Sequence, residues 1–588
     1  MTQSTTKPLS REEIAKIEIG HTDSTRAIDW FLTLFFLAVI VTVPLVQLAR
    51  DFAAIRAGKE PGRNLPQSLD VFSFLLPSLS EVSDLFVDGA AEKGGFLAAG
   101  SRMNNRMLGD IQRYETDLKD RDEVMQWVIP RMQVPVTAWL KGGNEDAYCG
   151  RDGWLFYRKD IDSLTGRGFL DPDVLAARAA GGSELVAPPQ PDPVKAIVDF
   201  RDQLQRRGIA LVVVPAPVKP SIYPEWYSAR YDGRSKPVQN PSFADFKDRL
   251  AGEGIPCFDP APLLVEAKAS ASKPLYLKTD THWTPAGMEL VAESLAAFVR
   301  RTVELAQPAP DRFTAAPREV TGRGDIALML EFPEEWSVFP QETVTVREVR
   351  DAVAAWRPDR EARVLFLGDS FANIYSLAPM GWGETAGFAE QVSLALGLPL
   401  DTITRNDAGS HATREMLALD LQRGTDRLAG KQVVIWEFAA RELACGDWKI
   451  VPLAAAVNQP ATTDVMPEDG GTFVPATGSP VLVRGVVKAA SPAPRPGSVP
   501  YKDHVIMVHL GEIEAEEDPA AAGKDAVVFV WSMRDNKPTP AAGWRPGDKV
   551  TLRLRPWADV TAKYDAINRS ELDDDALLLA EPCWGETP

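Results

Sequence analysis

Apolar positions along this chain change their spacing several times, and each change marks a new element. The first is a run with no polar interruption by charge: Trp30 to Leu48 reads WFLTLFFLAVIVTVPLVQL. As a helix this run spans about 28 Å, enough for a bilayer core. Pro44 near its end is tolerated in a membrane helix. Residues 1–29 are polar and of mixed charge, and no A-x-A site follows the apolar run. That argues for an uncleaved transmembrane signal anchor at 30–48 rather than a removed signal peptide. Residues 49–140 then show helical patterns, such as Met107 to Ile129, and are expected to form a membrane-proximal helical segment.

From residue 141 the pattern alternates between short apolar runs and helical spacing. Gly150 to Tyr157 (GRDGWLFY) reads as a turn into an aromatic strand. Pro-rich residues 187–193 precede a helix over Val194–Arg207, which Gly208 ends; Ile209–Val214 is a β-branched buried strand. Ile255–Phe258 predicts a further short strand. Thr284 and Pro285 suit a helix start, and Met288, Val291, Leu295 and Phe298 repeat at helical spacing as a packed face. Val364–Leu367 and Val433–Trp436 are two more buried strands. Strands alternating with helices define an α/β domain with a mostly parallel sheet over residues 141–455, whose site belongs at the carboxyl ends of the strands. Residues 456–480 are rich in Pro, Gly, Thr and Ala and read as a linker. Residues 481–588 alternate as strands around turns such as Arg545 to Asp548. They predict a small all-β, barrel-like module resembling an oligonucleotide/oligosaccharide-binding fold, a candidate for glycan binding.

Composition narrows the function classes. The 588 residues are 45% hydrophobic, ample for several cores, and carry a net charge of −18. A nucleic-acid binder would show a basic face, so none is expected as partner. Basic residues flank the apolar run on both sides (Lys7, Arg11, Lys16 and Arg26 before; Arg50, Arg56, Lys59 and Arg63 after), so charge alone does not orient it. Cys149, Cys257, Cys445 and Cys583 are too sparse for a disulfide scaffold; bridges and free thiols are both open.

The chemistry concentrates where the strand Val364–Leu367 runs into Gly368-Asp369-Ser370. A sharp turn there puts the Ser370 hydroxyl at a strand's carboxyl end, beside backbone amides able to stabilise developing negative charge. A serine so placed needs a base. Of five histidines (His21, His282, His411, His504 and His509), only His282 and His411 fall within the α/β domain. Only His282 has a carboxylate two residues away, Asp280, within Asp280-Thr281-His282-Trp283. Ser370, His282 and Asp280 therefore form the candidate nucleophile, base and orienting acid. No HExxH, paired CxxC, P-loop or dinucleotide fingerprint appears, so neither metal nor cofactor is expected.

Five segments in order carry a resemblance: Gly150–Tyr157, Val214–Pro224 (VPAPVKPSIYP), Asp280–Trp283, Leu367–Ser370, and Val434–Phe438 with Arg441. Over about residues 140–450 the chain resembles the alginate O-acetylation proteins, the AlgJ/AlgX-like branch of the SGNH hydrolase superfamily. The resemblance implies an SGNH hydrolase-like domain and a serine that moves acetyl groups onto exopolysaccharide hydroxyls outside the bacterial cytoplasmic membrane. It implies a multi-pass membrane acyltransferase as acetyl donor. Ser370 matches the nucleophile, His282 the base and Asp280 its orienting residue. The Asp-x-His segment precedes the serine, as in a permuted order shared with the alginate branch. Glu437 stands where an oxyanion asparagine would be expected, so the oxyanion hole is assembled otherwise. The Ser370 amide is the first donor, with Gly409, Tyr375 and Arg441 as further candidates; Lys219 and Tyr223 join them at the rim. Trp283, Trp154 and Tyr223 are candidate stacking surfaces for sugar rings. Two rivals stay open: an acetyl-esterase using the same three residues, and a non-catalytic polysaccharide-binding scaffold. The polymer is not named by the sequence.

Overall fold

The computed structural model describes residues 25–57, 123–181, 188–231, 236–305, 312–336, 338–406, 409–453 and 472–587, the last range with short gaps between 495 and 579. Most of the expected N-terminal tail, residues 58–122 of the membrane-proximal segment and most of the expected linker lie outside them. The chain divides into two units, residues 1–129 and 130–588.

In the first unit, helix α1 (Arg26–Arg56) begins at Thr25, whose hydroxyl accepts from the Ile28 amide. It contains the whole uncharged run, and over Arg26–Ala53 it is long and apolar enough to cross a membrane. A further helix, α2 (Glu123–Leu140), runs across the boundary between the units, its Pro130 and Pro135 falling in the second.

The second unit opens with a hairpin of β1 (Ala147–Cys149) and β2 (Leu155–Tyr157). Asp152 and Gly153 turn it with positive φ. Helix α3 (Arg158–Thr165) follows, and α4 (Pro193–Gln205) starts at Asp192, which accepts from the amides of Val194 and Lys195. Gly208, at φ +72, then reverses the chain into β3 (Ala210–Ala216), as its position after the helix predicts. Helix α5 (Pro285–Thr302) is capped by Thr284. A long antiparallel ribbon, β4 (Thr314–Gly322) and β5 (Glu342–Arg350), comes next. The remaining elements are β6 (Val364–Gly368), α6 (Ser370–Asn373), α7 (Phe388–Leu396), β7 (Asp401–Thr404), α8 (Ala412–Gln422) and β8 (Val433–Ala439).

The sheet order is β3-β8-β6-β7, and every neighbouring pair is parallel. Parallel strands covered on both faces read as continuous apolar runs, which is how β6 and β8 appear in the sequence. Side-chain alternation splits them between two cores. Val212, Val214, Phe366, Val433 and Ile435 pack with Val291 and Leu295 of α5. Leu211, Val213, Leu365, Leu367, Val434 and Trp436 pack with Phe200 and Leu204 of α4.

The expected strand over Ile255–Phe258 is only a single bridge, Val213 to Cys257. Pro256 has no amide to donate, so the ladder cannot propagate through it. The β4–β5 ribbon was not expected. Its half-exposed, charge-rich strands lack the apolar run by which the sheet strands announce themselves.

The C-terminal module consists of β9 (Val481–Ala490), β10 (His504–Glu514), β11 (Ala526–Arg534), β12 (Lys537–Pro538), β13 (Lys549–Pro556), β14 (Arg569–Ser570) and β15 (Cys583–Glu586). Pairing runs β11-β15-β13-β9-β10 and closes through β10 with β11, giving a five-stranded barrel. Val483, Val487, Leu510, Val528 and Leu552 fill its interior. A second cluster on the same module packs Phe529 and Trp584 against Trp531, Trp557 and Tyr564. All four cysteines are free thiols.

Candidate functional site

Strand β6 ends at Gly368, and the chain turns through Asp369 into the short helix α6. Asp369 staples this turn in place. Its Oδ1 accepts from the Phe371 amide at 2.8 Å and its Oδ2 from the Ala439 amide at 2.7 Å, while its own amide donates to Glu437 Oε2 at 3.0 Å. Glycine is needed at 368: a Cβ there would lie 2.6 Å from the Phe366 ring and 2.8 Å from Ala372 Cβ. Ser370, the first residue of α6, is buried, and its amide has no acceptor within that helix.

The Ser370 hydroxyl lies 2.9 Å from His282 Nε2, and His282 Nδ1 lies 2.7 Å from Asp280 Oδ1. That oxygen also accepts the His282 amide at 3.0 Å. The loop holding both residues is pinned to its neighbours: the Leu277 amide donates to the His282 carbonyl and the Thr284 amide to that of Leu275. A carboxylate on Nδ1 keeps the proton there and leaves Nε2 free to accept from the serine. The line Asp280–His282–Ser370 is thus the arrangement of an acid-oriented base next to a hydroxyl nucleophile.

Further residues brace this line. Asp280 Oδ2 accepts from the Trp382 indole N–H and from the Asp325 amide, each at 3.0 Å. Asp325 Oδ1 accepts the Thr281 amide at 2.6 Å, and its Oδ2 stands 3.6 Å from His282 Nδ1. Buried Lys219 donates through Nζ to the carbonyls of Leu277, Lys278 and Asp280 at 3.1, 3.1 and 2.6 Å.

Burial tends to neutralise each of these groups, and the bonds among them oppose it. Burial lowers His282, but the hydrogen bond and charge of Asp280 outweigh it, so its pKa sits above the usual value. Burial raises Asp280, but its bond to His282 brings it below the usual carboxylate range. Burial pushes Asp325 up to about 7, helped by the neighbouring Asp280 charge. Burial also brings Lys219 down to about 8 against the pull of nearby carboxylates. Among the described residues, Asp280, His282 and Asp325 are the one group clustered closely enough to ligate a cation. Their ligand atoms already serve one another and the surrounding N–H groups, which leaves the set poorly suited to a metal.

The other residues singled out from sequence divide into two groups. Arg441 belongs to the rim. Its Nη1 reaches Asp160 Oδ1 at 3.3 Å, and its guanidinium lies over Phe371, the residue after the serine, 5.9 Å from the ring centroid. Burial disfavours the charge on Arg441, but buried Asp160 more than compensates and holds it protonated. Glu437, pushed well above the usual carboxylate range by burial and by the Asp369 charge, sits under the Asp369 turn. The aromatic candidates are scaffold instead. The Tyr375 hydroxyl donates to the Trp283 carbonyl at 2.8 Å, and that of Tyr223 accepts the Leu275 amide at 2.9 Å. The Trp283 indole donates to the Phe371 carbonyl at 3.1 Å, and Trp154 is sandwiched against Trp226 and Tyr223. All four rings are buried, so Trp283, Trp154 and Tyr223 offer no free face to a sugar, which corrects the expectation of stacking surfaces. Gly409, at φ +70, is exposed and neighbours His411 and Glu442.

Three contributors escaped the sequence reading. Asp325 and Trp382 reach Asp280 from 45 and 102 residues away. Asn406, just beyond β7, accepts from Asn373 of α6 at 2.7 Å and turns its own amide toward Met380 Sδ at 3.3 Å. Only Asn406 carried a signal, a polar residue two positions beyond a strand.

The parallel sheet and its serine, with the Asp-x-His loop facing it, define an SGNH hydrolase-like domain. The chain belongs to the family described as SGNH hydrolase-like domain, acetyltransferase AlgX, whose pattern matches residues 147–440. It is 28% identical over 323 residues to the probable alginate O-acetylase AlgJ of Pseudomonas aeruginosa, spanning 54% of this chain and 73% of that one. To the corresponding protein of Pseudomonas fluorescens it is 32% identical over 310 residues, 51% and 69% of the two chains. Among solved structures it is similar to the O-acetyltransferase domain of Pseudomonas putida AlgJ (23% identity, 51% and 93% covered, TM-score 0.38). It is also similar to Pseudomonas aeruginosa AlgX (15% identity, 70% and 90% covered, TM-score 0.38).

Proposed function

We propose that this protein is a membrane-anchored O-acetyltransferase that moves acetyl groups onto hydroxyls of an exopolysaccharide through an acetyl-Ser370 intermediate. The observation that carries the reading is the unbroken line from Asp280 through His282 to the Ser370 hydroxyl. Membership in an acetyltransferase family supports it, as do relatives named probable alginate O-acetylases.

In the first step, His282 Nε2 takes the Ser370 proton while Oγ bonds to the acetyl carbonyl carbon. The donor's leaving group departs with the proton that His282 returns. In the second, a sugar hydroxyl gives its proton to His282 and attacks the acetyl-serine. The Ser370 C–O ester bond breaks, and the proton goes back to Oγ. The Ser370 amide, with the amide group of Asn406 and the guanidinium of Arg441 as partners, stabilises the oxyanion. Helix α1 holds the domain at the outer face of the bacterial cytoplasmic membrane, where a multi-pass acyltransferase supplies the acetyl group. The division follows the chain: tail 1–29, anchor 30–48, membrane-proximal segment 49–140, catalytic domain 141–455, linker 456–480 and a β module from 481 that contacts the glycan.

Intact mass of the full chain in detergent, after brief exposure to an activated acetyl ester, tests the reading. One acetyl adduct is expected on the native protein and none on Ser370→Ala or His282→Ala. Added oligosaccharide should then take up the group. Release as free acetate whatever glycan is present would make the protein an esterase, and no adduct at all would overturn the nucleophile assignment.

A further inference from the structure

The barrel is more than a neighbour of the α/β domain, because one partly buried arginine beside the serine turn is held by it. Arg405 follows β7 directly. Its amide donates to the Gly368 carbonyl at 3.0 Å, beside the turn that presents Ser370. Its side chain leaves the α/β domain altogether. Nη2 donates to the backbone carbonyl of Arg569 in β14, and Nη1 lies 3.4 Å from Glu571 Oε1. Glu571 Oε1 also accepts from Arg569 Nε at 2.9 Å, and Arg569 is itself stacked over Phe529 and Trp557 of the barrel, 5.3 and 5.6 Å from the ring centroids. Strand β14 is paired to the start of β10, so this anchor is tied to the barrel wall.

On the other side of Arg405 is Asn406, bonded to Asn373 of the helix that Ser370 begins. A continuous set of bonds therefore runs from the barrel through Glu571 and Arg405 to both ends of the serine turn: Gly368 before it and Asn373 after it. Both contacts at the Arg405 head are charge-assisted and partly buried.

We propose that the barrel is a positioning element of the active site, acting through Glu571 and Arg405 on the loop that carries Asn406 and packs against the Ser370 helix. The inference rests on Ser370 being the acetylated residue. It goes further by assigning Glu571, far along the chain and in another fold, to the geometry of that site. Removing its charge loosens Arg405 and lets the Asn406 loop drift from the oxyanion position, without touching any residue that contacts the small ester.

The experiment measures the rate of acetyl-serine formation against ester concentration, using the full chain in detergent. Glu571→Gln and Arg405→Lys should lower the saturating rate by roughly tenfold to a hundredfold, the range that misplacement near a reacting centre produces. The half-saturating ester concentration should stay unchanged, and Glu571→Asp should recover part of the rate. Glu512→Gln, at an exposed barrel pair with Lys488, serves as control and should behave as the native protein. A lowered melting temperature with native rates in both variants would overturn the proposal. If Glu571→Gln fails to fold, Arg405→Lys, which keeps the charge, still decides it. Absence of the adduct in the native protein would instead overturn the nucleophile assignment.

Discussion

At the scale of single residues, the site is a set of buried charges that hold one another's protonation states. In the proposed mechanism His282 serves as a base only when neutral, and its pKa lies above the usual histidine value. The rate of Ser370 acetylation should therefore climb with pH through a limb lying above pH ~6.5, the ordinary histidine pKa. Asp325 is one of the charges that raise His282. Asp325→Asn should move the limb to lower pH, read from a rate–pH profile with an activated acetyl ester; a shift upward would refute the electrostatic role. Lys219 acts differently, since its ammonium donates to carbonyls of the loop that carries Asp280 and lies over the rings of Trp154 and Phe156. Lys219→Met takes the ammonium away from the carbonyls of Leu277, Lys278 and Asp280, of which that of Lys278 still accepts the Leu155 amide, and frees the loop. The saturating rate should drop by roughly a hundredfold. Because Lys219 is held near 8, the native rate should also fall as pH rises past that value, when the amine loses one of its three donors. A rate flat to pH 10 would remove Lys219 from the working site.

At the scale of elements, the carboxyl ends of parallel strands deliver the serine, and close backbone packing keeps it there. Gly368 shows how little room is left. Gly368→Ala would press a methyl group onto the Phe366 ring and Ala372. A cost of about 1–3 kcal/mol is expected, measurable by denaturant unfolding. The acetylation rate should fall further than the lost stability explains, because the serine turn moves with it. Gly324 is tighter still: a Cβ would lie 2.2 Å from the Thr279 carbonyl group, on the loop leading to Asp280. These elements also mark what could be read in advance. Ser370, His282 and Asp280 were legible because each sits next to a strong local signal, a strand end or a helix start, and because few histidines competed. The braces were not. Asp325, Trp382 and Glu571 lie in segments with no distinctive periodicity, and their roles exist only once distant segments meet. Tyr375, Tyr223 and Trp283 misled for a related reason. A large ring with one polar tip gains most by burying the ring and giving the tip to a backbone partner, which sequence cannot separate from a ligand-facing role.

At the scale of the whole molecule, the proposed function assigns chemistry and delivery to separate parts of the chain. Every contact described for Ser370, His282 and Asp280 comes from residues beyond 130, whereas the apolar helix lies within residues 1–129. Anchoring should therefore be dispensable for acetyl capture and essential for transfer in the cell. A chain lacking residues 1–57 should stay in the supernatant after membrane sedimentation and still acquire a single acetyl group from an activated ester at a rate close to the native one. The same truncation, exported by a cleavable leader, should leave the cell's exopolysaccharide without O-acetyl groups if the donor is membrane-embedded as proposed, because a diffusing domain no longer meets it at high effective concentration. Polysaccharide acetylated to the native level by the truncated protein would show that the donor reaches Ser370 through solution, and the anchor would need another purpose. Loss of the acetyl adduct itself would mean that residues 1–57 complete the site.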